Sequence, residues 1–300
     1  MYAIETQGLS KSFKNIPAVQ NLNMKVPEGS IYGFIGENGS GKSTTEKLIC
    51  GLLVPSNGDI RLYGKHYTDA KIRSGMGVLI ENPGCFPEAT VYQNLYMQAL
   101  NLDVKNPKTE VERVLGLVSM AGAAGRKFKH CSLGMKQRLG VAQSLLGRPK
   151  LMILDEPING LDADGMRIVR ETLIDLTREE GVTILISSHI LGELSKIATH
   201  YGIIRRGTLI KEMKADEMSV GCRDFVFVKT GNDARALGVL AQRYKDFEQK
   251  DGGIRVYDEN ESSKVAGLLY SKNIDINEIT FQKIGLEEYY LKLMSQKGVA

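Results

Sequence analysis

The 300 residues predict an α/β domain with a largely parallel core sheet, followed by a smaller α+β domain. Strand-like and helix-like stretches alternate through roughly the first 210 residues, as they do where helices cross between strands of one sheet. The run at 150–154 reads as a buried strand, and the β-branched, apolar run at 182–186 shows no alternation, the signature of a strand covered on both faces. Around 215–223 the pattern changes, and a domain boundary is expected there.

In chain order, 30–35 is a short apolar run that stops at a glycine-rich turn, after which 43–53 reads as a helix. Between 90 and 146 the pattern is mostly helical, broken at Asn106-Pro107, and suggests a helical insert between two strands of the core. The strand at 150–154 ends on acids. Residues 167–180 place Ile168, Val169, Leu173, Ile174 and Leu176 at helical spacing. The strand at 182–186 comes next, and 203–204, the Arg206-Gly207 turn and 208–210 make a small hairpin. Beyond the boundary, strands at 225–228, 254–257 and 274–281 alternate with helices at 234–244 and 263–270, and 286–294 reads as a closing helix. We therefore expect domains at 1–214, with the helical insert at about 85–148, and at 215–300.

Composition narrows the class of protein. Lys plus Arg exceed Asp plus Glu by 39 to 35, a net +4 spread along the chain, too little to call for nucleic acid or an anionic membrane surface. No apolar run approaches the ~20 residues of a membrane span. The N-terminal Met1-Tyr2-Ala3-Ile4-Glu5 has neither the basic nor the apolar segment of a secretion signal. Cys50, Cys85, Cys131 and Cys222 are far apart, which argues against a zinc site or a disulfide framework. These features lead us to expect a soluble, intracellular, globular chain.

Chemistry first becomes visible at Gly36, Glu37, Asn38, Gly39, Ser40, Gly41, Lys42, Ser43 and Thr44, which fit G-x-x-x-x-G-K-[ST] between a strand and a helix. Chance produces this spacing in about one chain of this length in a hundred. The glycines let successive amides point inward at phosphate oxygens, and the helix N-terminus adds partial positive charge. Lys42 can reach the β- and γ-phosphates as a compact cation, and the Ser43 hydroxyl suits Mg²⁺. Nucleoside triphosphate binding is expected.

The run Leu151-Met-Ile-Leu154-Asp155-Glu156 delivers two acids at the carboxyl end of a strand, where open α/β sheets bind ligands. Asp155 is expected to hold Mg²⁺ through water. Glu156, one residue on, is free to polarise a water for attack on the γ-phosphate. A second acid in this place points to hydrolysis rather than to phosphoryl transfer.

Cys131-Ser132-Leu133-Gly134-Met135-Lys136-Gln137-Arg138 resembles the signature motif of ABC ATPases. The phosphate loop, the signature, the acidic strand, Asn159-Gly160-Leu161-Asp162 and Ser187-Ser188-His189 follow in that family's order across 9–210. The resemblance implies a phosphate-loop ABC ATPase core with a helical subdomain, working as the nucleotide-binding subunit of a transporter. It also implies roles for particular residues. Phe13 would stack on adenine. Ser132 and Gly134 would contact the γ-phosphate of ATP held by an opposite subunit, with Asp162 at the junction. His189 would contact the γ-phosphate and hold the geometry of the attacking water. Two chains would then sandwich each ATP, as a homodimer or with a second ATPase.

The sequence departs from the family pattern in three places. The signature carries Leu133 and Met135 where a small and a polar residue are usual, and position 13 is Phe rather than the commoner Tyr. Glu81 stands where the family usually has a Gln that binds Mg²⁺ and links the site to the membrane subunit, so it would bring a negative charge to the metal. Ile80-Glu81-x-Pro83 together with Ser-Leu-Gly-Met-Lys-Gln-Arg resembles the exporters that protect bacteria from bacitracin-like and lantibiotic peptides. The chain is therefore expected to hydrolyse ATP on the inner face of the cell membrane and to power a separate permease. The competing class is a soluble ABC-type ATPase acting on DNA or ribosomes. It is disfavoured by the modest charge, the single ATPase cassette and the lack of coiled coils between the motifs. A phosphate-loop kinase or GTPase would leave the signature and His189 without a job.

Overall fold

The computed structural model describes residues 1–189, 191–283 and 289–290. Its contacts divide the chain into two compact units, Met1–Ala215 and Asp216–Ala300.

The first unit opens with β1 (Tyr2–Phe13), β2 (Ile16–Leu22), β3 (Lys25–Pro27) and β4 (Ile31–Ile35), and then α1 (Lys42–Ile49). Next come β5 (Asn57–Leu62), β6 (Lys65–His66), α2 (Ala70–Ser74) and β7 (Met76–Leu79). A helical arm follows, with α3 (Val91–Asn101), α4 (Pro107–Leu117) and α5 (Leu133–Ser144). The chain then forms β8 (Leu151–Asp155), α6 (Ala163–Glu180), β9 (Thr183–Ser188), α7 (Leu191–Leu194), β10 (His200–Arg205) and β11 (Thr208–Lys214).

The core sheet has the order β11-β10-β4-β9-β8-β7, parallel from β10 to β7 with β11 antiparallel at one edge. All residues of β4, β8 and β9 are buried, which explains their unbroken apolar runs. Phe34, Leu48, Ile153, Leu185 and Ile204 meet in the core beneath the loops at the carboxyl ends of these strands. The arm lies in sequence between β7 and β8, which pair directly, so it is an insertion at one edge of an otherwise continuous sheet. It returns to that sheet through α5, which crosses β7 so closely that a Cβ on Gly77 would lie 2.0 Å from the Ser144 carbonyl oxygen. Glu110 and Arg113 make a two-pronged ion pair, and Glu110 also accepts from the Gly147 amide, tying α4 to the end of α5. The arginine's hydrogen bonds hold the Glu110 carboxyl below its usual range.

Two expectations need correction. The helix expected over 43–53 ends at Ile49, where Leu52 N donates to Lys47 O and Gly51 N to Leu48 O and close the last turn. A whole second sheet also precedes the core: β2-β1-β5-β6, with β3 on β1, all antiparallel. Bulges shift the register of β1 between Leu9 and Lys11 and again between Lys11 and Ser12, so its buried residues do not alternate strictly.

The second unit holds α8 (Ala215–Gly221, whose first residue belongs to the first unit), β12 (Phe225–Thr230), α9 (Asp233–Leu240), β13 (Phe247–Lys250) and β14 (Gly253–Val256), then α10 (Ser262–Tyr270) and β15 (Ile276–Gln282). The antiparallel sheet order β13-β14-β12-β15 with this β-α-β-β-α-β sequence is the split βαβ arrangement. Val226, Val228, Ile254 and Val256 pack with Ala236, Leu240, Val265 and Leu269 of the two helices. The strand β13 was not anticipated; three of its four residues are exposed, so no apolar run marks it. The closing helix expected over 286–294 falls outside the described residues except at Tyr289 and Tyr290.

Candidate functional site

The site is built where β4, β9 and β8 end side by side. Ile35 pairs with Ser188, and Asp155 pairs with Ser187, so the strand carrying Ser187 and Ser188 separates the phosphate loop from the acids. Gly41 caps α1 at φ 107°, a conformation open to glycine, and a Cβ there would lie 2.6 Å from the Ala18 carbonyl oxygen. No side chain caps α1, which leaves its first amides open to an anion. Lys42 is 6% exposed and its ammonium donates to the Gly36 and Glu37 carbonyls at 2.6 and 3.1 Å, folded across the loop. Ser40 is also buried, and its hydroxyl has no partner. A cleft of about 240 Å³ opens here, lined by Ala18, Asn38, Gly39, Gly41, Lys42, Ser43 and Thr44 on one side and by Asp155 and Glu156 on the other. Open helix amides, a buried lysine, a serine hydroxyl and a carboxylate around one cleft are the donor set for a phosphate chain and a hard cation.

The acids are held in place by β9. Ser187 Oγ donates to Asp155 Oδ1 at 2.8 Å, and Glu156 N donates to Ser187 O and Oγ at 3.2 and 3.3 Å. Glu156 has φ 49°, a left-handed backbone conformation at the turn after β8. His189 Nδ1 lies 2.7 Å from Glu156 Oε2, and because a carboxylate only accepts, Nδ1 carries the proton in that contact.

Sequence reasoning missed two residues here. Gln137, buried on α5, donates to the Glu156 carbonyl at 2.9 Å and links the arm to the acidic turn. Glu46, one helical turn after Lys42, is fully buried with neither carboxyl oxygen hydrogen-bonded. Burial, and then the charge of Asp155, push its pKa well above the ordinary carboxylate range. An acid on the face of α1 that also carries Thr45, Leu48 and Ile49 is the signal that could have pointed to it.

The remaining site candidates lie elsewhere. Ser132 caps α5 by accepting from Met135 N at 3.2 Å, and Leu133, 65% exposed, packs over Gly160, whose Cβ would fall 2.6 Å from its Cδ2. A Cβ on Gly134 would lie 3.5 Å from the Gly160 carbonyl oxygen, so the signature and the 159–162 loop lie side by side. Asp162 caps α6 by accepting from Gly165 N at 2.9 Å. None of Ser132, Gly134 and Asp162 lines the phosphate cleft. Phe13 is half-exposed at the β1–β2 turn, with Lys11 Nζ 5.4 Å from its ring centre. Glu81 sits outside the cleft lining, at φ 64°, and pairs with Lys47.

A parallel sheet with a phosphate loop on one strand and a Glu–His pair on its neighbours defines a nucleoside triphosphatase site. The family model for ABC transporters matches residues 19–159. The bacitracin transport ATP-binding protein BcrA of Enterococcus faecalis is 37% identical over 304 residues, spanning 100% of this chain and 98% of that protein. The lantibiotic transport ATP-binding protein SrtF of Streptococcus pyogenes is 39% identical over 213 residues, 71% of this chain and 91% of that protein. A solved ATP-binding subunit of an ABC transporter superposes with a TM-score of 0.66 at 27% identity, over 73% of this chain and 92% of that one. The chain belongs to the ATP-binding subunits of ABC transporters, a family of ATPases. Membership implies a membrane permease as the working partner. Among the described residues no helix is long and apolar enough to cross a membrane.

Proposed function

We propose that this chain is the peripheral, cytoplasmic ATPase of an exporter that removes a bacitracin-like or lantibiotic peptide antibiotic from the cell membrane. The cargo class rests on the end-to-end similarity to the bacitracin transport ATP-binding protein, which extends through the second unit. For the chemistry, the carrying observation is the 2.7 Å contact between Glu156 and His189 at the edge of the phosphate cleft. Glu156 serves as general base for the attacking water, and His189 orients that water and touches the γ-phosphate. Lys42 and the amides of 36–44 bind the phosphates, and Phe13 stacks on adenine. Ser43, Asp155 and Glu81 would hold Mg²⁺, which would supply positive charge against that building up on the phosphoryl oxygens.

Ser132 and Gly134 have no place in their own chain's cleft, so they complete the site of a second copy or of a second ATPase closing head to tail. Asp162 lies at that junction. Hydrolysis is thereby tied to dimer closure, and closure drives the permease between its inward and outward states. The permease grips the arm near 82–100, where Phe86 and Leu100 are exposed.

The test is to recover tagged Glu156→Gln protein from detergent-solubilised native membranes with MgATP and to identify what comes with it by mass spectrometry. A stoichiometric multi-span protein is expected. Recovery of ribosomal or DNA-associated proteins alone would overturn the transporter assignment and leave the ATPase chemistry standing.

A further inference from the structure

A second cavity, of about 330 Å³, lies at the amino ends of β7 and β8. Its apolar lining is Met76 and Leu151, the paired first residues of those strands, with Ile72 of α2 and Tyr63. Asp155 ends β8 at the other extreme, so this cavity shares no residue with the phosphate cleft. Tyr63, Ile72 and Met76 pack against the buried core, and Tyr63 Oη donates to the Lys150 carbonyl at 3.0 Å, so the apolar lining is formed in advance of any ligand. The remaining lining is cationic, with Lys71, Arg148 and Lys150, and it includes no carboxylate. Among the described residues the Lys71 and Lys150 ammonium groups have neither an ion pair nor a hydrogen bond. Arg148 Nε lies 3.9 Å from Glu110 Oε2, a carboxylate already held by both prongs of Arg113. An apolar hollow with charge of one sign around it selects a ligand that is apolar along its body and anionic at one end.

We propose that this cavity binds a small aliphatic or aromatic monocarboxylate, its body against Ile72, Met76 and Leu151 and its carboxylate among Lys71, Arg148 and Lys150. The volume suits a single chain of roughly ten non-hydrogen atoms and is too small for a two-chain lipid. Both lysines are exposed, so each adds modestly and the apolar body carries most of the affinity. Arg148 and Lys150 belong to the turn from α5 into β8, so an occupied cavity ties that turn to α2.

The experiment titrates decanoate into the full Glu156→Gln chain in excess MgATP, so that the phosphate cleft is already filled, and follows the methyl resonances of Ile72, Met76 and Leu151. Saturable shifts at all three are expected, with a Kd of about 0.1–1 mM. Lys71→Gln combined with Lys150→Gln should weaken decanoate binding by about threefold to tenfold, and decanol should bind the unsubstituted cavity more weakly than decanoate by about the same factor. No saturable shift at these methyls overturns the site. Equal affinity for decanol, or undiminished decanoate affinity in the double lysine variant, overturns the carboxylate as the recognised group. Shifts that grow without saturation and fall equally on the exposed Leu52, Leu100 and Leu133 would be surface adsorption and overturn the proposal as well.

Discussion

The phosphate cleft and the signature surface are built on opposite terms. Around the cleft the charged groups are held by neighbours: Asp155 by Ser187, Glu156 by His189, and Lys42 by the loop carbonyls. On the signature surface Ser132 and Asp162 are engaged only as caps of their own helices, and Leu133 stands exposed over Gly160. The first region gathers charged groups around one cleft, and the second presents its residues away from that cleft. The proposed pairing of two chains rests on this separation of the two surfaces.

That contrast can be broken or sharpened at three points. The largest effect is expected within the cleft: Glu156→Gln should retain ATP binding while turnover falls by roughly 10²-fold or more. Steady-state phosphate release beside equilibrium ATP titration reads both, and near-parent turnover would remove Glu156 as the base. On the other surface, Gly134→Asp should lower turnover by about tenfold or more by setting a carboxylate against the incoming phosphates, with ATP affinity of the isolated chain unchanged. Mixing it with Lys42→Ala chains should restore part of the activity, because one site of the mixed dimer escapes both lesions. Absence of rescue in a mixture shown to dimerise would place both halves in one chain and break the comparison. The smallest effect belongs to Phe13, where Ala should weaken ATP binding by about threefold to tenfold and Trp should not, as calorimetry would show. Equal affinity in all three would mean that the exposed ring takes no part in holding the base.

Much of the fold was legible because it is written over short stretches. The unbroken apolar runs of β8 and β9 announce strands covered on both faces, and Asn106-Pro107 marks the start of α4, where Pro107 needs no amide partner. The antiparallel sheet of β1, β2, β3, β5 and β6 was not legible, because bulges break the alternation that would have announced it. In the site, the line between the two kinds of information is sharper. By itself the sequence determined the phosphate loop, since glycines at fixed spacing around a lysine dictate where the backbone turns and which amides face inward. It also determined that two acids end a buried strand, since that too is a matter of adjacent residues.

Only the tertiary structure decided which of these pieces meet. The order β4-β9-β8 sets His189 against Glu156 across 33 positions of sequence and hangs Asp155 on Ser187. Packing of the arm brings Gln137 to the Glu156 carbonyl, and burial raises the pKa of Glu46 behind the loop. The pairing of Lys47 with Glu81 is of the same kind. Backbone geometry and hydrophobic period act within a turn or a strand, whereas hydrogen bonds and charge act across whatever the fold brings within a few ångströms, and no local pattern carries that distance.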